Sequence, residues 1–215
     1  MNFPFLTSML IFILLLHYNI NKGKNTQAKK EADFWAKEFS ANHVRKKSLD
    51  DLEYIVFTAD SFYPVNLLDA SLCTSFLSQN EEIKEILSRF LFLEEQKIVN
   101  LSCYTNTDLK YKYGVANLNL LTEYDSNYNE LITLLHKYGS CYYTNGFEEQ
   151  AVHIFEYAIS IGTDISSTYE MCGEYYYNNN LSDKLQWLKN EAEKISTSRK
   201  SIIVQKLQKF DPCNG

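Results

Sequence analysis

Residues 138–162 read YGSCYYTNGFEEQAVHIFEYAISIG, and part of this pattern returns in residues 172–195, CGEYYYNNNLSDKLQWLKNEAEKI. At least five residues of the first stretch recur in the second at a constant separation of 34 positions. Five such pairs are Gly139 and Gly173, Tyr142 and Tyr176, Tyr143 and Tyr177, Ala158 and Ala192, and Ile161 and Ile195. A fixed period in this range is typical of a supersecondary unit that is repeated in tandem. The sequence therefore predicts two successive copies of one such unit.

Small and large residues in the first copy are spaced as two packed helices require. A helix that packs tightly on its partner has Gly or Ala where the backbones approach, and large residues one turn away fill the groove. Gly139 and Tyr142 fit this requirement on a first helix. The matching residues of a second helix lie at i, i+4 and i+7, and they are Ala151, Phe155 and Ala158. Between the helices Gly146 predicts a stop, because glycine past a helix end readily adopts the left-handed conformation.

This arrangement resembles the tetratricopeptide repeat, a helix–turn–helix unit of 34 residues. In the first unit, residues 132–165, six residues sit at positions of that motif: Gly139, Tyr142, Gly146, Ala151, Phe155 and Ala158. The second unit, residues 166–199, keeps the motif residues Gly173, Tyr176 and Ala192. It departs from the motif at three positions, where the turn glycine, the small residue and the aromatic residue are replaced by Asn180, Leu185 and Lys189. A generic pair of helical hairpins is the alternative to the repeat.

The two units need a further helix after them, because two repeats alone bury too little apolar surface. Residues 198–210, SRKSIIVQKLQKF, place Ile203, Leu207 and Phe210 at i, i+4 and i+7, while the lysines occupy other positions. A helix with one apolar stripe and a polar remainder is suited to cover the end of an array. We therefore predict that residues 126–212 form tetratricopeptide-like repeats and a capping helix.

The region before the repeats, residues 48–125, is predicted to be helical with two short extended segments at 54–57 and 97–101. Apolar residues recur at helical spacing on both sides of the second extended segment. Asn127 and Glu130 then have the spacing of a capping box, which indicates a helix that begins at this point. The predicted fold class is thus all-α, with an N-terminal transmembrane helix followed by a right-handed helical-repeat array.

The predicted transmembrane helix is the stretch FPFLTSMLIFILLLHYNI, residues 3–20, which has no charged side chain when His17 is neutral. About 20 apolar residues are typical of a membrane-spanning helix. A cleaved signal peptide is the alternative, but no basic residue precedes the apolar run and no small-residue cleavage site follows it. Lysines follow instead, and the positive-inside rule places such a flank in the cytoplasm. We therefore expect a single-pass anchor in the cell membrane, a basic juxtamembrane stem at residues 21–47, and a C-terminal body in the cytoplasm.

Charge and cysteine content exclude two classes of protein. Residues 22–47 carry eight basic and three acidic side chains, a net charge of +5, whereas residues 48–215 carry thirteen basic and twenty-four acidic side chains, a net charge of −11. Such an acidic body repels a phosphate backbone, so we exclude nucleic acid as a partner. The five cysteines are odd in number and form no C-x-x-C pair, which disfavours a disulfide-stabilised secreted domain.

The sequence contains no motif that predicts catalysis, a metal or another cofactor. The four histidines are dispersed, and neither a phosphate-binding glycine loop nor a nucleophile elbow occurs. Adjacent acids such as Glu148 and Glu149 are explained by the first turn of a helix, where negative charge is favoured. We therefore expect a protein that is not an enzyme. The alternative is an enzyme whose site is assembled in space from residues 34–114.

As a whole the chain is similar to a family of membrane-anchored clostridial proteins, and the resemblance implies no activity. It rests on residues 34–55, FWAKEFSANHVRKKSLDDLEYI, and residues 97–114, KIVNLSCYTNTDLKYKYG, together with the N-terminal apolar run and the C-terminal repeats. Phe34 and Trp35 are expected to pack on the helical body. The segments between the apolar run and the repeats have no assigned role in this interpretation.

The resemblance to the tetratricopeptide repeat implies a protein or peptide partner, held on the surface that the first helices of the units form. The residues expected to line this groove are His136, Ser140, Tyr143, Glu170, Glu174 and Tyr177. Some related repeats bind a C-terminal carboxylate with lysine and asparagine, and the residues at those places here disfavour that mode. Two glutamates and two tyrosines favour a basic or amphipathic segment. The predicted function is a membrane-tethered adaptor without catalysis, and a structural subunit of a membrane complex is a further alternative.

Overall fold

A computed structural model describes residues 3–59 and 81–210 of the chain. Within these ranges the regular secondary structure is helical, and the extended backbone pairs at a single antiparallel bridge between Tyr54 and Val99. The helices are α1 (Phe3–Asn42), α2 (Glu81–Glu94), α3 (Asn106–Tyr113), a 3-10 helix (Val115–Asn117), α4 (Leu118–Thr144), α5 (Glu148–Ser160), α6 (Ser166–Asn178), α7 (Ser182–Lys194) and α8 (Lys200–Gln208). The predicted all-α fold class is confirmed.

Two compact units make up the structure, and each combines segments that are distant in the sequence. The first unit contains Met1–Ser48 and Asn106–Leu118, and the second contains Leu49–Thr105 and Asn119–Gly215. The segment boundaries predicted from the sequence do not follow this division, and they stay predictions. Residues 60–80, which belong to the predicted helical region 48–125, lie outside the described residues.

Helix α1 contains the apolar residues that predicted a membrane anchor. Over the described residues, no helix is both long enough and apolar enough to cross a membrane. The apolar stretch from Phe3 to Leu16 includes Thr7 and Ser8, and it spans roughly 21 Å at 1.5 Å per residue, whereas the hydrocarbon core of a bilayer is about 30 Å thick. After Leu16 the same helix continues through polar and then basic residues. The predicted single-pass anchor at residues 3–20, and with it the predicted location at the cell membrane, is therefore wrong.

In the first unit, charged side chains join α3 to the C-terminal part of α1. Glu38 of α1 accepts a hydrogen bond from the hydroxyl of Thr107 at 2.7 Å and forms an ion pair with Lys110. These two hydrogen bonds, chiefly the one from Lys110, lower the pKa of the Glu38 carboxyl below its ordinary value. Lys37 pairs with Asp108 at 2.6 Å on the surface of the same helices. The stem predicted at residues 21–47 is thus helical up to Asn42 and is held by α3.

In the second unit, apolar side chains from α2 and α4 to α7 form a shared core. The large side chains that are almost completely buried are Phe90, Leu93, Leu131, Leu135, Tyr138, Phe155, Tyr169 and Tyr176. On α2 the buried residues recur at the spacing that an amphipathic helix requires: Ile83, Ile86, Phe90 and Leu93. Arg89, at the edge of this buried side of α2, forms a two-pronged ion pair with Glu130 of α4, with N–O distances of 2.7 and 2.9 Å.

The 34-residue period of the sequence returns in the helix boundaries of the second unit. Helix α5 spans Glu148–Ser160 and α7 spans Ser182–Lys194, so both ends are displaced by 34 positions. Helix α4 ends at Thr144 and α6 ends at Asn178, again 34 positions later. Helix α8 begins 34 positions after α6, which places it where the first helix of a third copy would lie.

The turns that join the paired helices repeat with the same period. Equivalent backbone hydrogen bonds close both turns, from the amide of Phe147 to the carbonyl of Tyr142 (3.0 Å) and from the amide of Leu181 to the carbonyl of Tyr176 (2.8 Å). Gly146 has a φ of 84° and Asn180, at the equivalent position, has a φ of 58°. Asparagine is among the non-glycine residues that best tolerate this left-handed region. The replacement of glycine by asparagine therefore preserves the turn.

Candidate partner-binding surface

Two glycines set the distances between the helices that carry the predicted surface. A Cβ atom at Gly139 of α4 would lie within 2.8 Å of Cδ1 in the ring of Phe155 on α5. A Cβ atom at Gly173 of α6 would lie 2.6 Å from Cε2 of Phe210, which follows α8. Each first helix therefore approaches an aromatic ring more closely than any residue with a side chain would allow. This packing fixes α4, α6 and α8 relative to their neighbours.

His136 was predicted to line the groove, but the structure places it between α4 and α6. One ring nitrogen, Nδ1, lies 3.0 Å from Oγ1 of Thr168, and the other, Nε2, lies 3.1 Å from Oγ of Ser167. The ring also stacks on Phe155, with 6.1 Å between the centroids. Burial lowers the pKa of His136 below its ordinary value. Because both nitrogens have hydroxyl partners, His136 joins two helices.

Ser140 and Glu170 are also engaged in contacts between helices. The hydroxyl of Ser140 lies 3.8 Å from the sulfur of Met171 on α6. The carboxylate of Glu170 pairs with Lys206 at 2.8 Å and with Lys209, so it joins α6 to the segment that contains α8. Hydrogen bonds from Lys206 and Lys209 lower the pKa of Glu170 below its ordinary value. Three of the six predicted surface residues therefore hold the helices together.

The other three predicted residues, Tyr143, Glu174 and Tyr177, remain accessible. Burial raises the pKa of Tyr143 to about 12, with further contributions from the negative charges of Glu174 and Glu148. Contacts between α4 and α6 join residues 31 positions apart, as in His136 with Ser167 and Ser140 with Met171, and Tyr143 and Glu174 have the same separation. The side chain of Tyr177 is half exposed, and its ring centroid lies 5.9 Å from that of Phe210. The accessible part of the predicted groove is thus smaller and richer in tyrosine than the sequence indicated.

Three further residues belong to the same surface, and sequence reasoning did not select them. Burial raises the pKa of Tyr175, and the negative charges of Glu149 and Glu148 add to the effect, so both carboxylates are within electrostatic range of its hydroxyl. The sequence offered Glu148 and Glu149 only as the first turn of a helix, because their distance from α6 depends on the turn geometry. We call the set of Tyr143, Glu148, Glu149, Glu174 and Tyr175 the tyrosine–glutamate face; Tyr177, two positions after Tyr175 on α6, points to the side of Phe210 and is not part of it.

The carboxylates of this face can form further ion pairs. Among the residues that the structure describes, no ion pair involves Glu148, Glu149 or Glu174. Each of them is exposed, so each retains its hydration and its negative charge. Carboxylates beside accessible tyrosine rings can attract an ammonium or a guanidinium group through charge and through the faces of the rings. The chemistry of the face therefore suits a cationic partner.

A second cluster of ionisable residues lies beside the face but serves to connect helices. Glu156 of α5 accepts hydrogen bonds from the hydroxyl of Tyr176 at 2.6 Å and from Lys184 at 2.7 Å. Burial alone would raise the pKa of Glu156, but the hydrogen bonds from Lys184 and Tyr176 outweigh it and lower that pKa. Burial raises the pKa of the neighbouring Cys172 thiol far above its ordinary value, which disfavours the reactive thiolate. The cluster thus links three helices through satisfied polar groups.

Comparisons of the chain with protein-family models, with curated proteins and with solved structures found no match. The resemblances to the tetratricopeptide repeat and to the clostridial family therefore stay predictions.

Proposed function

We propose that this protein is an adaptor built from tetratricopeptide-like repeats, and that it binds a basic segment of a protein partner on the tyrosine–glutamate face. The observation that carries the proposal is the combination of three exposed carboxylates with accessible tyrosine rings on helices α4, α5 and α6. The 34-residue period of the helix boundaries supports the repeat interpretation, since such arrays commonly serve as binding surfaces.

The charge of the face determines which segment can bind. A lysine or arginine that approaches Glu174 can also contact the ring of Tyr143, because the two residues have the 31-position separation of the contacts between α4 and α6. An exposed cation–π contact is worth about 0.5–1 kcal/mol and an exposed ion pair about 0.2–1 kcal/mol. Several such contacts are needed for a stable complex, so we expect a segment with more than one basic residue. The affinity should fall as salt screens the charges.

A C-terminal carboxylate is a poor partner for the same face. The exposed charges at the centre of the face are all negative, and they repel the C-terminal carboxylate of a peptide. The residues at the positions where related repeats place their carboxylate ligands are already engaged, His136 with hydroxyls of α6 and Glu170 with lysines near α8. The arrangement thus supports recognition of a basic internal segment.

Binding of short peptides to the full-length protein tests this proposal. Fluorescence polarisation would be measured with labelled peptides that contain two or three lysines or arginines, with or without an aromatic residue, and with acidic peptides of the same length. Changing both Tyr143 and Tyr175 to alanine should weaken binding of the basic peptides roughly tenfold, because two cation–π contacts are lost. Tyr111→Ala is the matched control, since Tyr111 is an exposed tyrosine of the first unit. Equal binding of acidic and basic peptides would contradict the proposal.

A further inference from the structure

A polar cavity of about 290 Å³ lies in the second unit, away from the tyrosine–glutamate face. Its walls come from the turn after α5, the last turn of α7, Tyr169 of α6, and Asn100 and Ser102 of the segment before α3. The volume is close to the lower end of the range for small-molecule sites, about 300 Å³. The cavity can therefore hold a molecule of a few heavy atoms together with water.

Hydrogen bonds fix the wall of this cavity in position. The amide of Asn100 donates to the hydroxyl of Tyr128 at 3.0 Å, and that hydroxyl donates to the carbonyl of Gly162 at 2.8 Å. The hydroxyl of Ser102 donates to the amide oxygen of Asn100 at 2.7 Å. Gly162 has a φ of 88°, and a Cβ atom there would lie 3.0 Å from the amide nitrogen of Asn100. The glycine lets the turn approach Asn100, and the network makes the wall rigid.

One carboxylate and the ends of two helices line the cavity. Helix α5 ends at Ser160 and α7 ends at Lys194, and both residues line the cavity. The last carbonyl groups of a helix carry partial negative charge, so two helix ends favour a cation here. The carboxylate of Glu191 adds a full negative charge, and its side chain is only 18% exposed. A cationic group of a ligand would thus be stabilised next to Glu191.

A positive charge lies at the rim of the same cavity. Lys194 pairs with Glu191 at 2.7 Å, and its side chain is 69% exposed. A carboxylate has about four lone-pair sites and an ammonium group has three donors, so both groups can keep this pair and bind a ligand as well. Serine and threonine hydroxyls near the rim, Ser196 and Thr197, can bond the remaining polar atoms of a ligand. The cavity therefore presents a paired ammonium and carboxylate, of which the carboxylate is the less exposed.

We propose that this cavity binds a small zwitterion of the amino-acid type. The ammonium group of the ligand lies against Glu191 and the carbonyl ends of the two helices, and its carboxylate lies against Lys194. A small side chain occupies the remaining volume beside Tyr169. This site is independent of the proposed adaptor function, because it shares no residue with the tyrosine–glutamate face.

Calorimetric titration of the full-length protein tests the site. The probes are glycine, L-serine and L-glutamine as zwitterions, ethylamine as the cation alone and propionate as the anion alone. We expect saturable binding of at least one of the three amino acids, and much weaker binding of both half-ligands. Binding by ethylamine alone with the same affinity, or no binding of any probe up to about 10 mM, would overturn the proposal.

Two variants and a matched control locate the binding. Glu191→Gln removes the negative charge from the cavity and should lower the affinity for the amino acid roughly tenfold or more. Ser160→Phe fills the cavity from an exposed position and should abolish binding, with helicity and thermal unfolding checked first. Glu193→Gln is the control, because Glu193 belongs to the same helix turn and has its own lysine partner, Lys200 at 2.9 Å, but does not line this cavity. Equal losses of amino-acid affinity in Glu191→Gln and Glu193→Gln would overturn the assignment of the site.

Discussion

The ring of Phe210 lies against Gly173, so close that a Cβ atom at position 173 would meet Cε2 of the ring at 2.6 Å. By the 34-residue period, position 189 corresponds to Phe155, and it holds a lysine. In the first copy, Phe155 of α5 supplies the ring that packs on Gly139 of α4. In the second copy Phe210, which follows α8, supplies that ring. The segment after α8 therefore supplies an aromatic ring that the second copy lacks.

The contact between Gly173 and Phe210 predicts a coupled effect on stability. Gly173→Ala should lower the free energy of unfolding by about 1–3 kcal/mol, because the added methyl group overlaps the ring in a packed interior. Phe210→Leu should cost less in the Gly173→Ala background than in the wild type, because the smaller side chain leaves room for the methyl group. Urea unfolding of the two single variants and the double variant measures the coupling. Strictly additive effects would contradict the contact.

The repeat could be predicted from the sequence because its main determinants are local. A glycine or alanine at each close approach and a left-handed residue at each turn are visible in the residue types, and both recur at 34 positions. The replacement of Gly146 by Asn180 in the second copy left the turn intact, since both residues have positive φ. The boundaries of α5 and α7 are displaced by the same 34 positions.

The start of α4 could not be predicted, because distant residues determine the roles of its polar side chains. Asn127 and Glu130 have the spacing of a capping box, yet both lie inside α4, which begins at Leu118. The amide of Asn127 donates to the carbonyl of Lys97 at 3.0 Å, and Glu130 pairs with Arg89. Their partners are remote in the sequence, so the helix continues through a pattern that resembles a start.

The same reason limits prediction of the binding surface. His136 and Glu170 occupy positions that face outward on an isolated repeat, and their partners come from the next helix along the array. Conversely, Tyr175 joins the surface because Glu148 and Glu149 lie near it in space. Such pairings between helices require coordinates, whereas the accessible Tyr143 could be selected from the repeat register.

Glu170 and Glu174, one helical turn apart on α6, should respond differently to the same substitution. Glu170→Gln removes the partner of Lys206 and Lys209 and should lower the free energy of unfolding by up to about 1 kcal/mol, because the pairs are partly exposed. Glu174→Gln should leave stability unchanged but weaken binding of a basic peptide roughly two- to fivefold. Urea unfolding and fluorescence polarisation on both variants provide the comparison. A loss of stability in Glu174→Gln together with a loss of peptide binding in Glu170→Gln would contradict the roles assigned to these two residues.

Glu170 also predicts the direction of a pH effect. Its pKa is lowered in the folded protein from an ordinary value of 4.5, so the folded state favours the ionised form. The stabilisation is fully present above pH 4.5 and is lost as the pH falls through the folded pKa. The difference in unfolding free energy between the wild type and Glu170→Gln should therefore shrink as the pH falls below 4.5. A constant difference down to about pH 3 would argue against this ion-pair cluster.

His136 predicts a loss of stability at mildly acidic pH. Burial lowers its pKa from an ordinary value of 6.5, and the groups that face the ring are the hydroxyls of Ser167 and Thr168 and the ring of Phe155. The neutral form is favoured in the folded state, so the stabilisation is fully present above pH 6.5 and is lost as the pH falls through the folded pKa. His136→Gln keeps hydrogen-bonding groups but does not titrate. Between about pH 7.5 and 5.5, the range around the ordinary pKa of histidine, the wild type should therefore lose more unfolding free energy than this variant. Urea unfolding at each pH measures the difference. Parallel losses in both proteins would assign the pH dependence to other groups.

Gly114 predicts a local effect within the first unit. Its φ is 86°, and a Cβ atom at this position would overlap the carbonyl oxygen of Arg45 and lie 2.7 Å from the carbonyl carbon. Gly114→Ala should therefore separate the two segments and weaken the hydrogen bond from the amide of Lys47 to the carbonyl of Tyr113, which is 3.0 Å long. Backbone strain of this kind costs about 1–3 kcal/mol.

Hydrogen exchange measures this effect at the amide of Lys47, which should exchange faster in Gly114→Ala than in the wild type. Gly23→Ala is the matched control, because Gly23 lies in α1 of the same unit and no atom lies within 4 Å of the position that its Cβ would take. Alanine is favoured over glycine in a helix, so this control should protect α1 slightly better, by up to about 1 kcal/mol. Unchanged exchange at Lys47 in Gly114→Ala would mean that the turn at residue 114 does not hold residues 45–47 in place.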